Sequence, residues 1–297
     1  CRDIMKVNGK QDAYLYYYKR IKKDKENPWP YDACNGCHLA VESEHVSLPA
    51  MLYEYTGEKN MLKASRAAWQ MMQKHLSPAG TPHGNENMLR IGPRANCEHC
   101  GTVEWAASNH ALLRIDGDVK YADAVERAFY NAYPAAKTPD AMMYAYMHSP
   151  NQLVASEWSA PQFEDDDCLH SAQYYSTAHW PLCCGVCGPR TIPYFIQNMI
   201  QRSGKGIAVA YYGPAKASIA TPNAGLVSIQ LQTKYPFEDD IRISITPEKE
   251  AVFPIQFRIP SWCDSSVAEI NGKTIKEIIT PGTFLKINRQ WRQGDEV

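Results

Sequence analysis

From about residue 42 the apolar positions recur at intervals of three and four. Val46, Leu48, Met51, Leu52 and Tyr55 form one stripe, Gly57 ends it, and a second helical pattern runs from about 59 to 75. The pattern then returns. Leu52, Thr56-Gly57-Glu58, Met61, Ala64 and Ala68-Trp69 align, at a constant offset, with Leu112, Asp116-Gly117-Asp118, Tyr121, Ala124 and Ala128-Phe129. Each unit reads as a helix, a glycine C-cap, an acidic residue at the next N-terminus, and a helix whose small residues allow close packing. Repeated αα-hairpins imply a solenoid or a closed α/α toroid, with functional sites where the inter-helix loops converge. Cys97-Glu98-His99-Cys100 falls in such a loop, just before a helix predicted over about 102–116. A further helix is predicted over about 190–202, with Ile192, Phe195, Ile196 and Met199 on one face.

After Gly204-Lys205-Gly206 the period changes to two. Residues 207–212, 226–231, 241–245 and 255–259 read as strands, and Ile270-Asn271-Gly272-Lys273 as a hairpin turn. Residues 133–182 are irregular, but their aromatic residues (Tyr144, Tyr146, Trp158, Tyr174, Tyr175 and Trp180) point to an ordered, functional segment. The fold class expected is multidomain α and β: a partial (α/α)6 toroid of αα-hairpins over residues 1–204, followed by an antiparallel β-sandwich domain over 205–297. Both ends read as cut, so the chain is expected to be a fragment, with toroid helices and part of the sandwich lying outside it.

Composition narrows the function by exclusion. The chain of 297 residues carries 31 basic and 32 acidic residues, so it has no electrostatic footprint for nucleic acid or an anionic membrane. No apolar run approaches the length of a membrane span. The 18 tyrosines and 7 tryptophans suit a carbohydrate site, and equally an ordinary aromatic core. Ten cysteines are few for a disulfide scaffold of this length, and their clustering favours metal over bridges. Cys34-Asn35-Gly36-Cys37-His38 matches the c-type haem attachment pattern literally, but nothing implies a second axial ligand. It is read as a chance match or a local disulfide.

The chemistry concentrates in two clusters: Cys97-Glu98-His99-Cys100, and Cys183-Cys184-Gly185-Val186-Cys187. Thiols packed this closely call for separate partners or one shared metal, and zinc takes thiolate, imidazole and carboxylate in a tetrahedral shell. One reading joins Cys97 and Cys100 with Cys184 and Cys187 as a structural four-thiolate site. The long gap between Cys100 and Cys183 exceeds the roughly 15–20 residues of a zinc ribbon and leaves Cys183 spare. The other reading is catalytic and uses Glu98, Cys100, Cys183 and Cys184, with one thiolate able to attack carbon.

At these residues the sequence resembles the DUF1680 proteins, the glycoside hydrolase family 127 group that includes β-L-arabinofuranosidases. Gly84-Asn85-Glu86-Asn87-Met88-Leu89 is similar to the family's Gly-Asp-Glu-His-Leu segment, Cys97–Glu104 to its Thr-Glu-Leu-Cys-Thr-Val-Val-Glu segment, and Cys183-Cys184 to its Cys-Cys pair. Tyr235-Pro236-Phe237-Glu238-Asp239 and Phe257-Arg258-Ile259-Pro260-Ser261-Trp262-Cys263 extend the likeness into the β region. The resemblance implies an (α/α)6 barrel followed by β-sandwich domains, and a zinc held by Glu98, Cys100, Cys183 and Cys184. It further implies Cys183 as nucleophile and Glu86 as general acid/base of a retaining double displacement. The sequence departs from the family after the pair, with Gly185-Val186-Cys187 where Pro-Pro-Asn is common, and at Cys97, where Thr is common. Cys97 and Cys187 therefore stand as alternative ligands, or as partners of each other.

Taken without the resemblance, Glu86 is one carboxylate among many, and His99 is a neighbour of the metal or a surface residue. Glu104 serves the helix dipole as readily as a substrate. His45, Tyr144, His148 and His179 are contacts a sugar could use, each as easily a packing or loop residue. The function expected is zinc-thiolate hydrolysis of terminal β-L-arabinofuranosides or related glycosides, with an oligo- or polysaccharide as partner and a periplasmic or cell-surface location. The alternative is a carbohydrate-binding or structural protein whose zinc only staples the loops.

Overall fold

The computed structural model describes residues 38–84, 95–152, 154–155, 173–177 and 183–297. These residues form two compact units. One takes the described residues up to Gly117 together with Arg127–Thr191, and the other takes Asp118–Glu126 together with Ile192–Val297.

The first unit is helical: α1 (Leu39–His45), α2 (Leu48–Thr56), α3 (Lys59–Met72) and α4 (His99–Asp116). The chain turns from α2 to α3 through Gly57 at φ +69°, whose N–H reaches the Tyr53 carbonyl. The end of α4 repeats this, with Gly117 at φ +75° and its N–H on Leu113. Both glycines hold a left-handed C-terminal position that a Cβ would strain. The expected pairing of helix, glycine and helix is therefore present at both places. At the second, however, the following helix, α5 (Val119–Arg127), belongs to the other unit as far as Glu126.

The apolar stripe of α2 is only partly inward. Leu52 is buried, as is Val46 just after α1, whereas Met51 and Tyr55 are exposed, so spacing alone overstated the buried face. α4 is the central helix of this unit and is buried along most of its length. Trp69 of α3 stacks on Trp105 at 6.2 Å and donates to Asn109 at 2.7 Å. Ser108 donates to the Ser43 carbonyl of α1 at 2.6 Å. Gly101 lets α1 come close, because a Cβ there would lie 2.8 Å from Leu39 Cδ2. α4 also begins earlier than predicted, at His99, so Cys100 lies in its first turn rather than in a loop.

The second unit carries two four-stranded sheets. One has the order Thr283–Trp291 (β11), Ala251–Ile259 (β8), Gly206–Val209 (β4), Ile200–Ser203 (β3). The other has the order Asp295–Glu296 (β12), Ile241–Pro247 (β7), Gly225–Thr233 (β6), Ala215–Thr221 (β5). The sequence expectation needs three corrections here. β4 and β8 run parallel, so the first sheet is mixed. Strands β5 and β11 were not foreseen. The helix predicted over 190–202 ends at Asn198 (α7, Thr191–Asn198), and β3 begins at Ile200. In α7 Phe195 is buried, but Ile192 and Ile196 are exposed. The Asn271-Gly272 turn joins Glu269–Ile270 (β9) to Lys273–Thr274 (β10), with φ of +53° and +73° at the two turn residues, as the hairpin reading required.

Within this unit Arg258 of β8 is fully buried. Its Nη1 donates to Asp123 of α5 at 2.6 Å, its Nη2 to Glu126, and its Nε to the Ala210 carbonyl at 2.6 Å. Tyr235 donates to Glu126, and the Ser261 N–H to Asp123 at 3.1 Å. This network fixes residues 118–126 to the sheets. Among the described residues no helix is long and apolar enough to cross a membrane.

Candidate metal-thiolate site

The site lies in the helical unit and is assembled by three elements. β1 (Cys97–Glu98) pairs antiparallel with β2 (Met147–His148). Alternation along β1 separates its two side chains. Glu98 joins the cluster, while Cys97 is fully buried and is not one of its donors. Burial pushes the Cys97 thiol up to about 12, the Ser77 contact opposing it. Cys97 therefore stands apart from the other thiols. α4 follows at once, its start tied to β2 by the His99 N–H on the Tyr146 carbonyl at 2.9 Å, and presents Cys100. The third element is the short helix α6 (Cys183–Cys187), which presents Cys183, Cys184 and Cys187.

Glu98, Cys100, Cys183 and Cys184 each offer a ligand atom, and these four atoms all lie within 4.8 Å of one another. Cys100 Sγ is 3.0 Å from Cys184 Sγ and 3.1 Å from Cys187 Sγ. Cys183 Sγ and the Tyr146 hydroxyl are 3.5 Å apart. Glu98, Cys100 and Cys184 are buried, while Cys183 is exposed. The six described cysteines are all free thiols, so the structure has no bridge between Cys97 and Cys187.

Hydrogen bonding from Cys100, then from Cys184, pulls the Cys183 thiol far below its ordinary value, with Tyr146 adding to the effect. Hydrogen bonding with Cys183, Cys184 and Cys187, with burial adding to it, pushes Cys100 up. Hydrogen bonding with Cys100 lowers Cys184, but contact with Cys183, burial and the Glu98 charge outweigh it, and the net direction is up. Among these three thiols the exposed one thus ionises first. Cys100 and Cys183 also sit in first helical turns, where backbone N–H groups favour an anion. Three thiols and a carboxylate gathered this closely match zinc's preference for sulfur with a hard fourth donor, so the residues present fit that ion.

Packing behind the site explains two glycines. A Cβ on Gly185 would meet the Tyr144 ring at 3.1 Å, and one on Gly188 would meet His99 Nε2 at 2.7 Å. His99 is fully buried between Tyr133 (ring centroids 5.7 Å) and Tyr144 (6.4 Å), so it supports the site from behind. Glu104 pairs with Arg190, which gives it a structural partner. His148 is buried beside Cys97 in the two-stranded pairing. Sequence reasoning missed His38. Its Nδ1 accepts from the Ala40 N–H at 3.2 Å, capping α1, and lies 3.7 Å from Glu98 Oε2. Its only signal was its place in the haem-like string, which suggested other chemistry. Glu86, His179, Cys34 and Cys37 lie outside the described residues.

Two family models cover most of the chain. The GH127 β-L-arabinofuranosidase catalytic domain matches residues 30–197, more than half of the sequence. The chain belongs to the GH127 β-L-arabinofuranosidase family. The GH127 middle domain matches residues 206–297. No curated protein matches this GH127 chain at a significant level. Among solved structures, one described as a glycoside hydrolase is 21% identical with a TM-score of 0.74, over 87% of this chain and 46% of its own. The GH127 β-L-arabinofuranosidase Ara127N-Se from Geobacillus stearothermophilus T6 is 20% identical with a TM-score of 0.74, over 87% and 41%. The GH127 β-arabinofuranosidase BT3674 is 21% identical with a TM-score of 0.72, over 87% and 42%. These likenesses concern the fold. The GH127 chain spans less than half the length of each.

Proposed function

We propose that this protein is a retaining glycoside hydrolase that releases terminal β-L-arabinofuranose, or a closely related sugar, from a glycan, with Cys183 as nucleophile. The observation that carries this reading is the four-donor cluster of Glu98, Cys100, Cys183 and Cys184, in which Cys183 alone is exposed. A zinc ion held by these residues would keep the thiols ionised at neutral pH. Cys183 Sγ attacks the anomeric carbon, forming a C–S bond as the C–O bond to the leaving group breaks. Glu86 donates its proton to the departing oxygen. Glu86 then takes a proton from water, whose oxygen attacks the same carbon and releases Cys183 as thiolate. Two displacements at one carbon retain its configuration. Tyr146 lies where its hydroxyl can hydrogen-bond the attacking and returning thiolate.

In the same reading the helical unit is part of an (α/α)6 toroid, the two four-stranded sheets are layers of a sandwich, and the domain boundary falls near residue 204. A polysaccharide-derived substrate fits a periplasmic or cell-surface location.

The test is Cys183→Ser, assayed on an aryl β-L-arabinofuranoside with metal content measured in parallel. Loss of at least about a thousandfold in kcat, for removal of a nucleophile, is expected, with the protein still folded. Full activity in that variant excludes cysteine catalysis. A metal-loaded wild type that cleaves no glycoside favours instead a binding protein whose metal only staples loops.

A further inference from the structure

Cys187 has no part in the chemistry above, yet it touches the cluster. We propose that Cys187 is a fifth donor of the metal pocket, which holds the metal together with Glu98, Cys100 and Cys184 when Cys183 is committed to the sugar. The inference rests on the metal-thiolate reading and adds to it an account of how the nucleophile is released.

The geometry around Cys100 is nearly symmetric. Its Sγ is 3.0 Å from Cys184 Sγ and 3.1 Å from Cys187 Sγ. Two sulfurs bound to one tetrahedral zinc, each at about 2.3 Å, lie roughly 3.8 Å apart. Either pair therefore needs to open by less than about 1 Å to share an ion. Cys184 and Cys187 are three residues apart on α6, which puts both on one helix face, toward Cys100. Cys183 precedes them and sits at the exposed end, whereas Cys187 is half-buried.

The chemical need follows from the double duty of Cys183. A thiolate bound to a metal is tempered as a nucleophile, so its attack on carbon requires its bond to the metal to loosen. With three donors left, the metal would be exposed to water or lost. Cys187, as a thiolate with its proton released to solvent, would then restore four donors. Because one thiolate replaces another, the charge of the pocket is unchanged.

Cobalt(II) loading tests this without reference to turnover, because thiolate-to-cobalt charge-transfer absorption scales with the number of bound thiolates. Wild type, Cys183→Ser, Cys187→Ser and the double variant are titrated with cobalt and checked for matching far-UV circular dichroism. Cys183→Ser is expected to keep the wild-type charge-transfer intensity and an affinity within about threefold. The double variant is expected to lose about a third of the intensity, two thiolates replacing three, and at least about tenfold in affinity. An intensity loss already complete in Cys183→Ser, with no further change on adding Cys187→Ser, overturns the inference and leaves the metal reading intact. A wild type that takes up neither cobalt nor zinc removes the metal reading, and this inference with it.

Discussion

At the scale of single residues, the site depends on which thiol ionises and what surrounds it. Cys183 is exposed and lies 3.5 Å from the Tyr146 hydroxyl, and Tyr146 is itself fully buried. Tyr146→Phe keeps the ring and deletes one hydrogen bond to a charged sulfur, a contact worth about 1.5–3 kcal/mol. A fall in kcat of about ten- to a hundredfold is expected, with metal content unchanged. Steady-state kinetics with metal analysis checks this, and an unchanged kcat would remove Tyr146 from the chemistry. The cluster residues were legible because two compact strings carried all four donors. Tyr146 and His38 were not, since each reaches the site from another segment and no local pattern marks it. Cys97 shows the complementary limit. Its spacing to Cys100 suggests a shared metal, but strand alternation turns it away from the donor group.

At the scale of elements, the thiols are placed by close backbone approaches. Gly188 lies against His99, which is wedged between Tyr133 and Tyr144 and cannot swing aside cheaply. Gly188→Ala should therefore displace the turn after α6. We expect about 1–3 kcal/mol of lost stability, the usual cost of overpacking, and weaker zinc binding. Urea unfolding and a competitive chelator titration measure the two, and wild-type values in both would show that α6 is not held by this contact. The helix–glycine–helix rhythm was readable because Gly57 and Gly117 are each required by a left-handed C-cap. Helix faces were less readable. Met51, Tyr55, Ile192 and Ile196 are apolar and correctly spaced, yet exposed, because periodicity does not say how wide the packed face is. Strands β5 and β11 escaped notice because small and polar residues dilute their alternation, as in Ala215-Lys216-Ala217-Ser218 and Lys286-Ile287-Asn288-Arg289.

At the scale of the whole molecule, the unit boundaries do not follow the chain simply, because residues 118–126 belong with the sheets. Arg258 enforces this through Asp123 and Glu126. Replacing it with Met leaves two buried carboxylates without their cation, and a loss of about 3–5 kcal/mol is expected. Thermal unfolding of Arg258→Met reads it, and a stability within about 0.5 kcal/mol of wild type would contradict that role. No sequence pattern announces this pairing, since its partners are far apart in the chain. Acid stability of the helical unit has a definite sign. Burial first, with His83 adding to it, holds His75 down to about 4, and burial holds His110 down to about 3. Both are neutral when folded and have an ordinary value near 6.5 when unfolded, so the stability they contribute is fully present above about pH 6.5. It is lost as pH falls through the window toward 4 and 3, by up to about 2 kcal/mol each between pH 7 and pH 5. Urea unfolding of the metal-free protein at those two pH values separates this from loss of metal, and equal midpoints would contradict it. The central claim, that a GH127 protein of this sequence attacks sugar through Cys183, is tested most directly by covalent trapping. The intact zinc-loaded protein is treated with an arabinofuranose-configured cyclophellitol-type epoxide and mapped by peptide mass spectrometry. The account predicts one adduct per chain, on Cys183 and absent from Cys183→Ser; an adduct on a carboxylate, with Cys183 unmodified, would contradict it.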